Sequence, residues 1–246
     1  MRSVAFIPAR YASSRFPAKP LVPLLGVPMV AHVARLTAEA VGQEHTYVLT
    51  DDARIRSVVE EFGYQALMTS SDALTGTDRL AEATEQVEAD LYVNVQGDEP
   101  MLNPASIRQV IETKRRMPNL VANAMTQLGP DEDPHNVNIP KVVANEEGRM
   151  LYMSRRAVPG FKDERNAPEA YWKQVCIYAF TRYELCAFAT FGRKSVLERS
   201  EDIEILRFLE IGVGIQMVKV AGGSLAVDVP SDVVVVERAM KERGLV

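Results

Sequence analysis

The sequence predicts an α/β protein with a mostly parallel central sheet and helices on both faces. Short apolar runs alternate with segments of helical periodicity through the first half of the chain. The first run, at residues 4–7, has no polar alternation, which is typical of a strand buried on both faces. Regular alternation of strands and helices predicts parallel strands joined by right-handed crossovers. The loops that follow the strands should therefore meet at one edge of the sheet.

The elements of the first half follow in strict order. Strands are predicted at residues 4–7, 46–49, 66–68, 91–95 and 120–125. Helices are predicted at residues 29–41, 54–62, 77–87 and 104–116. Pro28 suits the first turn of the first helix, and Gly63 suits the end of the second. Because a helix separates each strand from the next, we expect the five strands to form one continuous sheet.

The second half is less regular and begins with a polar loop at residues 129–138. Strands are predicted at residues 139–144, 150–153, 173–180, 215–220 and 225–227. Helices are predicted at residues 182–190, 196–211 and 231–243. Ser231 is the expected N-cap of the last helix. We expect a single domain over residues 1–246, with a smaller subregion at about residues 128–214.

Composition excludes several classes of protein. The chain has 246 residues, 47% of them apolar, and a net charge of −5. The acidic balance argues against nucleic acid as a partner. Cys176 and Cys186 show no metal-binding spacing and fit reduced thiols. Residues 1–30 show no signal-peptide pattern, and no apolar stretch reaches about 18 residues, so we expect a cytoplasmic protein without membrane insertion.

The loop at residues 8–20 is the first candidate for binding a ligand. It carries three cations and two hydroxyls, namely Arg10, Arg15, Lys19, Ser13 and Ser14. Guanidinium and ammonium groups bind phosphate oxygens, and the three prolines of the loop stiffen it. The loop matches neither a P-loop nor a dinucleotide-binding turn. A solvated basic loop is the alternative, but preorganised cations favour a polyphosphate ligand.

Two aspartates follow predicted strands and should lie at the same edge. Asp98 follows the strand at residues 91–95, and Gly97 should permit an unusual turn that projects it into the crevice. Asp228 follows the apolar run at residues 225–227. Carboxylates that face bound phosphates are typical ligands of Mg²⁺, and a pair could share metals. The alternative is that each aspartate only caps a turn or helix.

Residues 74–79 form a third candidate segment before a helix. Thr77 could cap this helix, with Asp78 in its first turn, which explains both residues without a ligand. Thr75 and Gly76 would still lie at the sheet edge. We expect them to contact a nucleobase.

Four motifs in order then carry a family resemblance. They read IPARYASSRFPAKPL at residues 7–21, TGTDRL at 75–80, NVQGDEP at 94–100 and VDVP at 227–230. Together they resemble the 3-deoxy-manno-octulosonate (Kdo) cytidylyltransferases, or CMP-Kdo synthetases. The resemblance implies a nucleotide-diphospho-sugar transferase fold, a homodimer and a Mg²⁺-dependent reaction. In that reaction CTP and the anomeric hydroxyl of the sugar acid give CMP-sugar and pyrophosphate, for lipopolysaccharide or capsule synthesis.

The resemblance also implies roles for individual residues and segments. The catalytic residues would be Arg10, Lys19, Asp98 and Asp228, the last two as metal ligands. The nucleotide would be bound by Pro8, Ala9, Arg10, Ser13, Ser14, Arg15, Lys19, Thr75, Gly76 and Arg79. The acceptor would be bound by Gln96, Arg155, Gln174, Tyr178 and Glu204. Residues 1–127 and 215–246 would form the CTP-binding core, and residues 128–214 the acceptor and dimerisation subregion.

Three positions depart from the family pattern. Ala18 replaces a glycine before Lys19, Gln174 replaces a histidine, and Ile205 replaces a polar residue. The last two changes lie on the acceptor side, where one altered hydrogen-bonding group can change discrimination strongly. The expected acceptor is therefore Kdo or a modified Kdo. The alternatives are another acid, such as a different ulosonic acid or a phosphonate, and a non-catalytic nucleotide-binding regulator.

Overall fold

The computed structural model describes residues 1–12 and 16–245. The strands are β1 (Ser3–Pro8), β2 (Pro23–Leu24), β3 (Val27–Pro28), β4 (Thr46–Thr50), β5 (Gln65–Met68), β6 (Leu91–Val95), β7 (Val121–Gln127), β8 (Lys141–Ala144), β9 (Met150–Ser154), β10 (Trp172–Phe180) and β11 (Ile215–Lys219). The helices are α1 (Met29–Val41), α2 (Ala53–Glu61), α3 (Gly76–Ala83), α4 (Pro104–Arg116), α5 (Arg182–Thr190), α6 (Val196–Glu201), α7 (Leu206–Glu210) and α8 (Pro230–Glu242). The predictions for Ser13, Ser14 and Arg15 lie outside the described residues.

Nine of the strands in the described part of the chain form one sheet, with the main order β11-β7-β10-β6-β1-β4-β5. The neighbours β1–β4, β1–β6, β4–β5 and β7–β11 pair in parallel. Strand β10 runs antiparallel between β6 and β7, and the β8–β9 hairpin extends the sheet from β10. The predicted α/β fold with a mostly parallel sheet is confirmed.

Two hydrophobic cores lie on opposite faces of this sheet. The alternation along β1 shows the division, because Val4 and Phe6 join one core while Ala5 and Ile7 join the other. Helices α3 and α5 cover the first face, and α1, α2 and α4 cover the second. A third cluster packs α8 against the β2–β3 hairpin. The central strands are thus buried on both faces, and their ends are held rigidly.

The prediction of one long helix over residues 196–211 was wrong. The chain forms α6 and α7 instead, separated by Asp202 in the left-handed conformation with φ of 51°. The break has a packing cause. Arg207 donates to both carboxylate oxygens of Glu198 at 2.7 Å. In one straight helix these two residues would lie about 13 Å apart along the axis.

The segment before α8 also differs from its prediction. Residues 225–227 are extended but form no strand, and α8 begins at Pro230. The expected cap Ser231 lies inside the helix. The carboxylate of Asp232 instead accepts hydrogen bonds from the backbone N–H groups of Asp228 and Val229, at 2.8 and 3.0 Å. These bonds satisfy donors at the helix start and fix the backbone of Asp228. None of the described helices has both the length and the apolar character needed to span a bilayer.

Candidate active site

A cleft of about 890 Å³ opens beside the carboxyl ends of β1 and β6. Every candidate site residue within the described part of the chain lines it. These residues are Pro8, Ala9, Arg10, Lys19, Thr75, Gly76, Arg79, Gln96, Asp98, Arg155, Gln174, Tyr178, Glu204 and Asp228. The structure therefore brings together residues separated by more than 200 positions in the sequence. A crevice at the carboxyl ends of strands is the usual ligand site of an open α/β sheet.

Lys19, Asp98 and Asp228 form the charged centre of the cleft. The ammonium group of Lys19 donates to Oδ2 of Asp98 at 2.8 Å and lies 3.6 Å from Oδ1 of Asp228. The backbone N–H of Val227 donates to the carbonyl of Asp98 at 2.9 Å, which ties the two acidic loops together. All three charged side chains keep some exposure, from 16% for Lys19 to 39% for Asp228. The centre is preformed yet open to a ligand.

The donor set at this centre fits Mg²⁺. No group of three or more His, Cys, Asp or Glu side chains suited to a metal occurs in the described residues. Mg²⁺ commonly takes one or two protein carboxylates and completes its shell with phosphate oxygens and water. The ammonium group of Lys19 already shows that one cation can contact both Asp98 and Asp228. The pair therefore suits a metal that binds together with a polyphosphate.

Gly97 is needed for a close approach between two loops. A Cβ atom at this position would lie 3.0 Å from the carbonyl oxygen of Pro8. The expected unusual turn is not the reason, because Gly97 is absent from the residues with positive φ. A side chain here would separate the end of β1 from the loop that carries Asp98. The glycine thus lets the end of β1 and the loop that carries Asp98 lie in contact.

The loop before Lys19 holds a strained residue. Ala18 adopts the left-handed conformation, with φ of 56° and ψ of 22°. For a residue with a Cβ atom this conformation costs roughly 1–2 kcal/mol, which a glycine would avoid. The backbone N–H of Ala18 donates to the carbonyl of Tyr11 at 3.0 Å, and the guanidinium of Arg54 stacks 3.4 Å from the centre of the Tyr11 ring. These contacts hold the loop in the strained form.

The wall formed by Thr75 and Gly76 is built on the start of α3. The cap of this helix is Thr75, not Thr77. The Thr75 hydroxyl accepts from the backbone N–H of Asp78 at 3.2 Å and donates to the Asp78 carboxylate at 2.7 Å. The Thr77 hydroxyl donates to Glu204 at 2.8 Å. Glu204 lines the cleft, but its carboxylate is already engaged by α3.

Arg79 lies behind the same wall. Its side chain is almost fully buried, and its guanidinium donates to the hydroxyl of Thr69 and to the carboxylate of Asp51. Burial of a guanidinium is tolerated only when such partners satisfy it. Arg79 thus supports the wall formed by Thr75 and Gly76 from inside the protein.

Arg155, which is predicted to bind the acceptor, lines the cleft and is held by backbone carbonyls. Its guanidinium donates to the carbonyl oxygens of Val137 and Asp202, each at 2.9 Å, and to that of Glu201. The backbone N–H of Arg155 donates to the Glu201 carboxylate at 2.9 Å. A guanidinium has five N–H donors, so two remain for a ligand. The side chain is therefore fixed in place before any acceptor binds.

Gln174 has a defined orientation because of Asn123. The amide N–H₂ group of Asn123 donates to the carbonyl oxygens of Val175 and Ile177, both at 3.0 Å. Backbone carbonyls can only accept, so the side-chain oxygen of Asn123 must face Gln174. The Gln174 amide nitrogen donates to that oxygen at 3.2 Å. The amide oxygen of Gln174 is left as the hydrogen-bond acceptor for a ligand in the cleft.

Sequence reasoning missed two residues in the cleft floor, Glu99 and Cys176. Burial raises the pKa of the Glu99 carboxyl, and it raises the pKa values of the Cys176 thiol and the Tyr178 hydroxyl well above their ordinary values. The thiol and hydroxyl are hydrogen-bonded to each other and stay uncharged at neutral pH. Gln174, Cys176 and Tyr178 alternate along β10, and this spacing could have indicated that they share one face of the sheet. The loop at residues 221–226 also lines the cleft and was missed.

Comparisons with known proteins agree with this geometry. A family model described as cytidylyltransferase matches residues 4–217. The 3-deoxy-manno-octulosonate cytidylyltransferase of Trichlorobacter lovleyi is 40% identical over 252 residues, which cover 98% of this chain and all of the relative. The 8-amino-3,8-dideoxy-manno-octulosonate cytidylyltransferase of Shewanella oneidensis is 41% identical over 245 residues, covering 95% of this chain and 96% of the relative.

Solved structures give the same result. A structure of CMP:2-keto-3-deoxy-manno-octonic acid synthetase complexed with CTP superposes with a TM-score of 0.91 and 36% identity, covering 99% of this chain and all of the other. A more distant inositol-1-phosphate CTP transferase shares the fold, with a TM-score of 0.71 and 15% identity over 98% of this chain and 96% of the other. The chain is a nucleotidyltransferase and belongs to the 3-deoxy-manno-octulosonate cytidylyltransferase family.

Proposed function

We propose that the chain transfers CMP from CTP to the anomeric hydroxyl of Kdo or a modified Kdo and releases pyrophosphate. The observation that carries the proposal is the junction of Lys19, Asp98 and Asp228 in a cleft of about 890 Å³. Full-length similarity to relatives named for this reaction supports the same conclusion. The division into a CTP-binding core and an acceptor subregion stays a prediction.

The nucleotide side would act mainly through charge and position. Lys19 and Arg10 line the cleft and would balance the negative charge that develops on the α-phosphate and the departing pyrophosphate. Thr75 and Gly76, opposite Ala9, would form the wall against the cytosine and ribose. No residue of the centre is arranged as a covalent nucleophile. The rate would therefore come from alignment and electrostatic stabilisation.

Asp98 and Asp228 would hold the metal. Their support is the position of the Lys19 ammonium between the two carboxylates, which a metal ion bound with the triphosphate would replace. When bound, Mg²⁺ would neutralise phosphate charge and polarise the phosphorus–oxygen bonds. The backbone hydrogen bond from Val227 to Asp98 joins the two loops that carry these carboxylates.

The acceptor side would orient the sugar acid for in-line attack on the α-phosphorus. Arg155 has two N–H donors left, which suits a carboxylate, and its backbone contacts fix their direction. Gln174 offers an amide oxygen to a hydroxyl or ammonium group of the sugar. Gln96 and Tyr178 complete the lining. Held in this way, the anomeric oxygen would reach phosphorus without a covalent enzyme intermediate.

A modified Kdo is the second candidate, and the relatives support it as well as they support Kdo. Relatives named for Kdo are 40% to 42% identical to this chain and those named for 8-amino-3,8-dideoxy-manno-octulosonate are 41% identical, so overall similarity does not separate the two acceptors. The amide oxygen of Gln174 would accept a hydrogen bond from a hydroxyl or an ammonium group equally well.

The test is turnover of both sugar acids with CTP and Mg²⁺. Pyrophosphate release is measured together with the mass of the nucleotide product. A mass equal to CMP joined to either acid supports the proposal, and the ratio of the two kcat/KM values selects the acceptor. Pyrophosphate release without a CMP adduct would contradict it. Reactions without Mg²⁺, and with CTP replaced by ATP, are the controls.

We also propose a cytoplasmic homodimer. The cysteines of the described residues are free, which fits a reducing compartment. The family resemblance is the support for the dimer. Light scattering on the purified protein tests it, and a mass close to 27.3 kDa would show a monomer instead.

A further inference from the structure

The segment around α7 contacts the start of α3 across more than 120 residues of sequence. One oxygen of the Glu204 carboxylate accepts from the backbone N–H of Gly76 at 3.1 Å. The other accepts from the backbone N–H of Thr77 at 3.0 Å and from its hydroxyl at 2.8 Å. The first N–H groups of a helix have no partner within it, and a negative charge there is favourable. The Glu204 carboxylate therefore supplies the hydrogen-bond acceptors and the negative charge that the start of α3 does not have within the helix.

A second contact runs in parallel, three residues further on. Arg207 is fully buried, and its guanidinium donates to the two carboxylate oxygens of Asp78 at 2.8 and 3.2 Å. The same Asp78 carboxylate accepts from the hydroxyl of Thr75 at 2.7 Å. Glu198 holds the other edge of the guanidinium, and the ring of Phe188 lies 3.7 Å below it. A continuous chain of hydrogen bonds thus joins α7 to Thr75.

Both contacts end on residues that line the cleft. Thr75 and Gly76 line the cleft, and Glu204 lines it beside them while it binds the start of α3. A ligand that took hydrogen bonds from Glu204 would have to share a carboxylate that already accepts three. The geometry therefore does not favour Glu204 as a ligand of the acceptor, although the family resemblance implies that role.

We infer that Glu204 and Arg207 are positioning residues for the nucleotide wall. They hold the start of α3 so that Thr75 and Gly76 face the nucleotide in a fixed geometry. Substitution of Glu204 should then weaken CTP binding and leave the acceptor almost unaffected. The inference rests on the proposed use of CTP. It deepens that proposal because it assigns Glu204 to the nucleotide, whereas the family resemblance implies a contact with the sugar acid.

The test uses Glu204→Gln and Thr77→Val in the full chain. Glu204→Gln keeps the shape but loses the charge and one acceptor oxygen. Thr77→Val removes the hydroxyl partner from the other side, at a residue that does not line the cleft. Calorimetric titration should show a Kd for CTP raised about tenfold by Glu204→Gln and about threefold by Thr77→Val. The KM for the sugar acid should stay within about twofold.

Controls separate this role from general loss of structure. Glu61→Gln removes an exposed charge from α2 outside the cleft, and the Kd for CTP should not change. The double variant of Glu204 and Thr77 should show less than the summed effect, since both changes break one contact. Thermal melting confirms that each variant is folded at the assay temperature.

Two results would overturn the inference. One is an unchanged Kd for CTP in Glu204→Gln, with a raised KM for the sugar acid, which would make Glu204 an acceptor ligand. The other is additive effects of the two substitutions. Failure of the wild-type protein to bind CTP at all would contradict the proposed function instead. The titration thus distinguishes the two failures without requiring turnover.

Discussion

The two sides of the cleft differ in how their polar groups are satisfied. On the nucleotide side, the ammonium group of Lys19 contacts Asp98 directly at 2.8 Å and lies 3.6 Å from Asp228, so these partly exposed charges pair with one another. On the acceptor side, Arg155 and Gln174 are each bound to the protein itself. The first side is built to exchange its internal ion pairs for a ligand. The second is built to hold its shape before a ligand arrives.

This difference predicts how substitutions should act. Removing a charge from the nucleotide side removes stabilisation that appears in the transition state, so kcat should fall. Changing a fixed group on the acceptor side alters complementarity to one substrate, so KM and specificity should change. Substitutions on the two sides can therefore be told apart by their kinetic signatures.

The largest effect is expected at Asp98. Asp98→Asn keeps the size of the side chain but removes the charge that faces Lys19, and kcat should fall by about 10³-fold. Pyrophosphate release under saturating CTP and sugar acid is the measurement. Glu146→Gln, an exposed change in the turn between β8 and β9, is the control and should match the wild-type rate. Undiminished turnover in Asp98→Asn would refute the metal assignment.

Replacement of Lys19 should lower kcat but strengthen metal binding. Lys19→Met should lower kcat by about 10²-fold, because phosphate charge loses a partner. The same change should strengthen binding of Mn²⁺ in the absence of nucleotide, since the ammonium no longer occupies the space between Asp98 and Asp228. Electron paramagnetic resonance measures the free metal. Weaker Mn²⁺ binding in the variant would show that Lys19 does not compete for the carboxylates.

Replacement of Gln174 should have a smaller effect, confined to the sugar acid. Gln174→Leu removes the amide oxygen and leaves Asn123 without its donor. The KM for the sugar acid should rise about tenfold, while the KM for CTP stays within about twofold. Steady-state kinetics with each substrate varied in turn provides both values. A parallel rise in the KM for CTP would mean that the two sides are not separate.

The smallest effect lies outside the cleft, at His32 in α1. Burial lowers the pKa of His32 below its ordinary 6.5, and its Nε2 atom contacts the carbonyl of Leu24 at 2.9 Å. The unfolded chain thus binds more protons than the folded one in the window below pH 6.5. The free energy of unfolding should therefore decrease as the pH falls through that window. The contribution of His32 should be fully present above pH 6.5. His32→Gln should remove this part of the pH dependence.

Urea unfolding at about pH 7.5 and about pH 5.5 measures this effect. The wild-type midpoint should drop more between the two values than the midpoint of His32→Gln. His135→Gln, at an exposed position, is the control and should behave like the wild type. Equal drops in all three proteins would show that His32 makes no contribution.

Sequence patterns predicted the elements where local signals and packing agree. The helix at residues 104–116 has Asn103 as its cap and Pro104 in its first turn, and it has the predicted bounds. The prediction at residues 196–211 failed because helical periodicity does not reveal a buried pair such as Arg207 and Glu198. Nor could the pattern show that β10 runs antiparallel, since strand direction depends on where the chain returns to the sheet.

The same limit applies to the cleft. Motif residues such as Asp98 and Lys19 were found because charged groups that follow strands stand out from an apolar background. Glu204 was found through the family resemblance, but its contact with α3 depends on the break at Asp202, which places α7 beside a distant helix. Sequence therefore located the groups, and the fold was needed to show their partners.

The central claim is that the acceptor oxygen attacks the α-phosphorus of CTP. Kdo labelled with ¹⁸O at its anomeric oxygen tests this directly, with mass spectrometry and ³¹P nuclear magnetic resonance of the products. Attack by the acceptor oxygen should leave the label in the CMP-sugar, at the oxygen that bridges sugar and phosphorus, and none in the pyrophosphate. Label in the pyrophosphate, or a CMP-sugar that has lost the label, would exclude this attack.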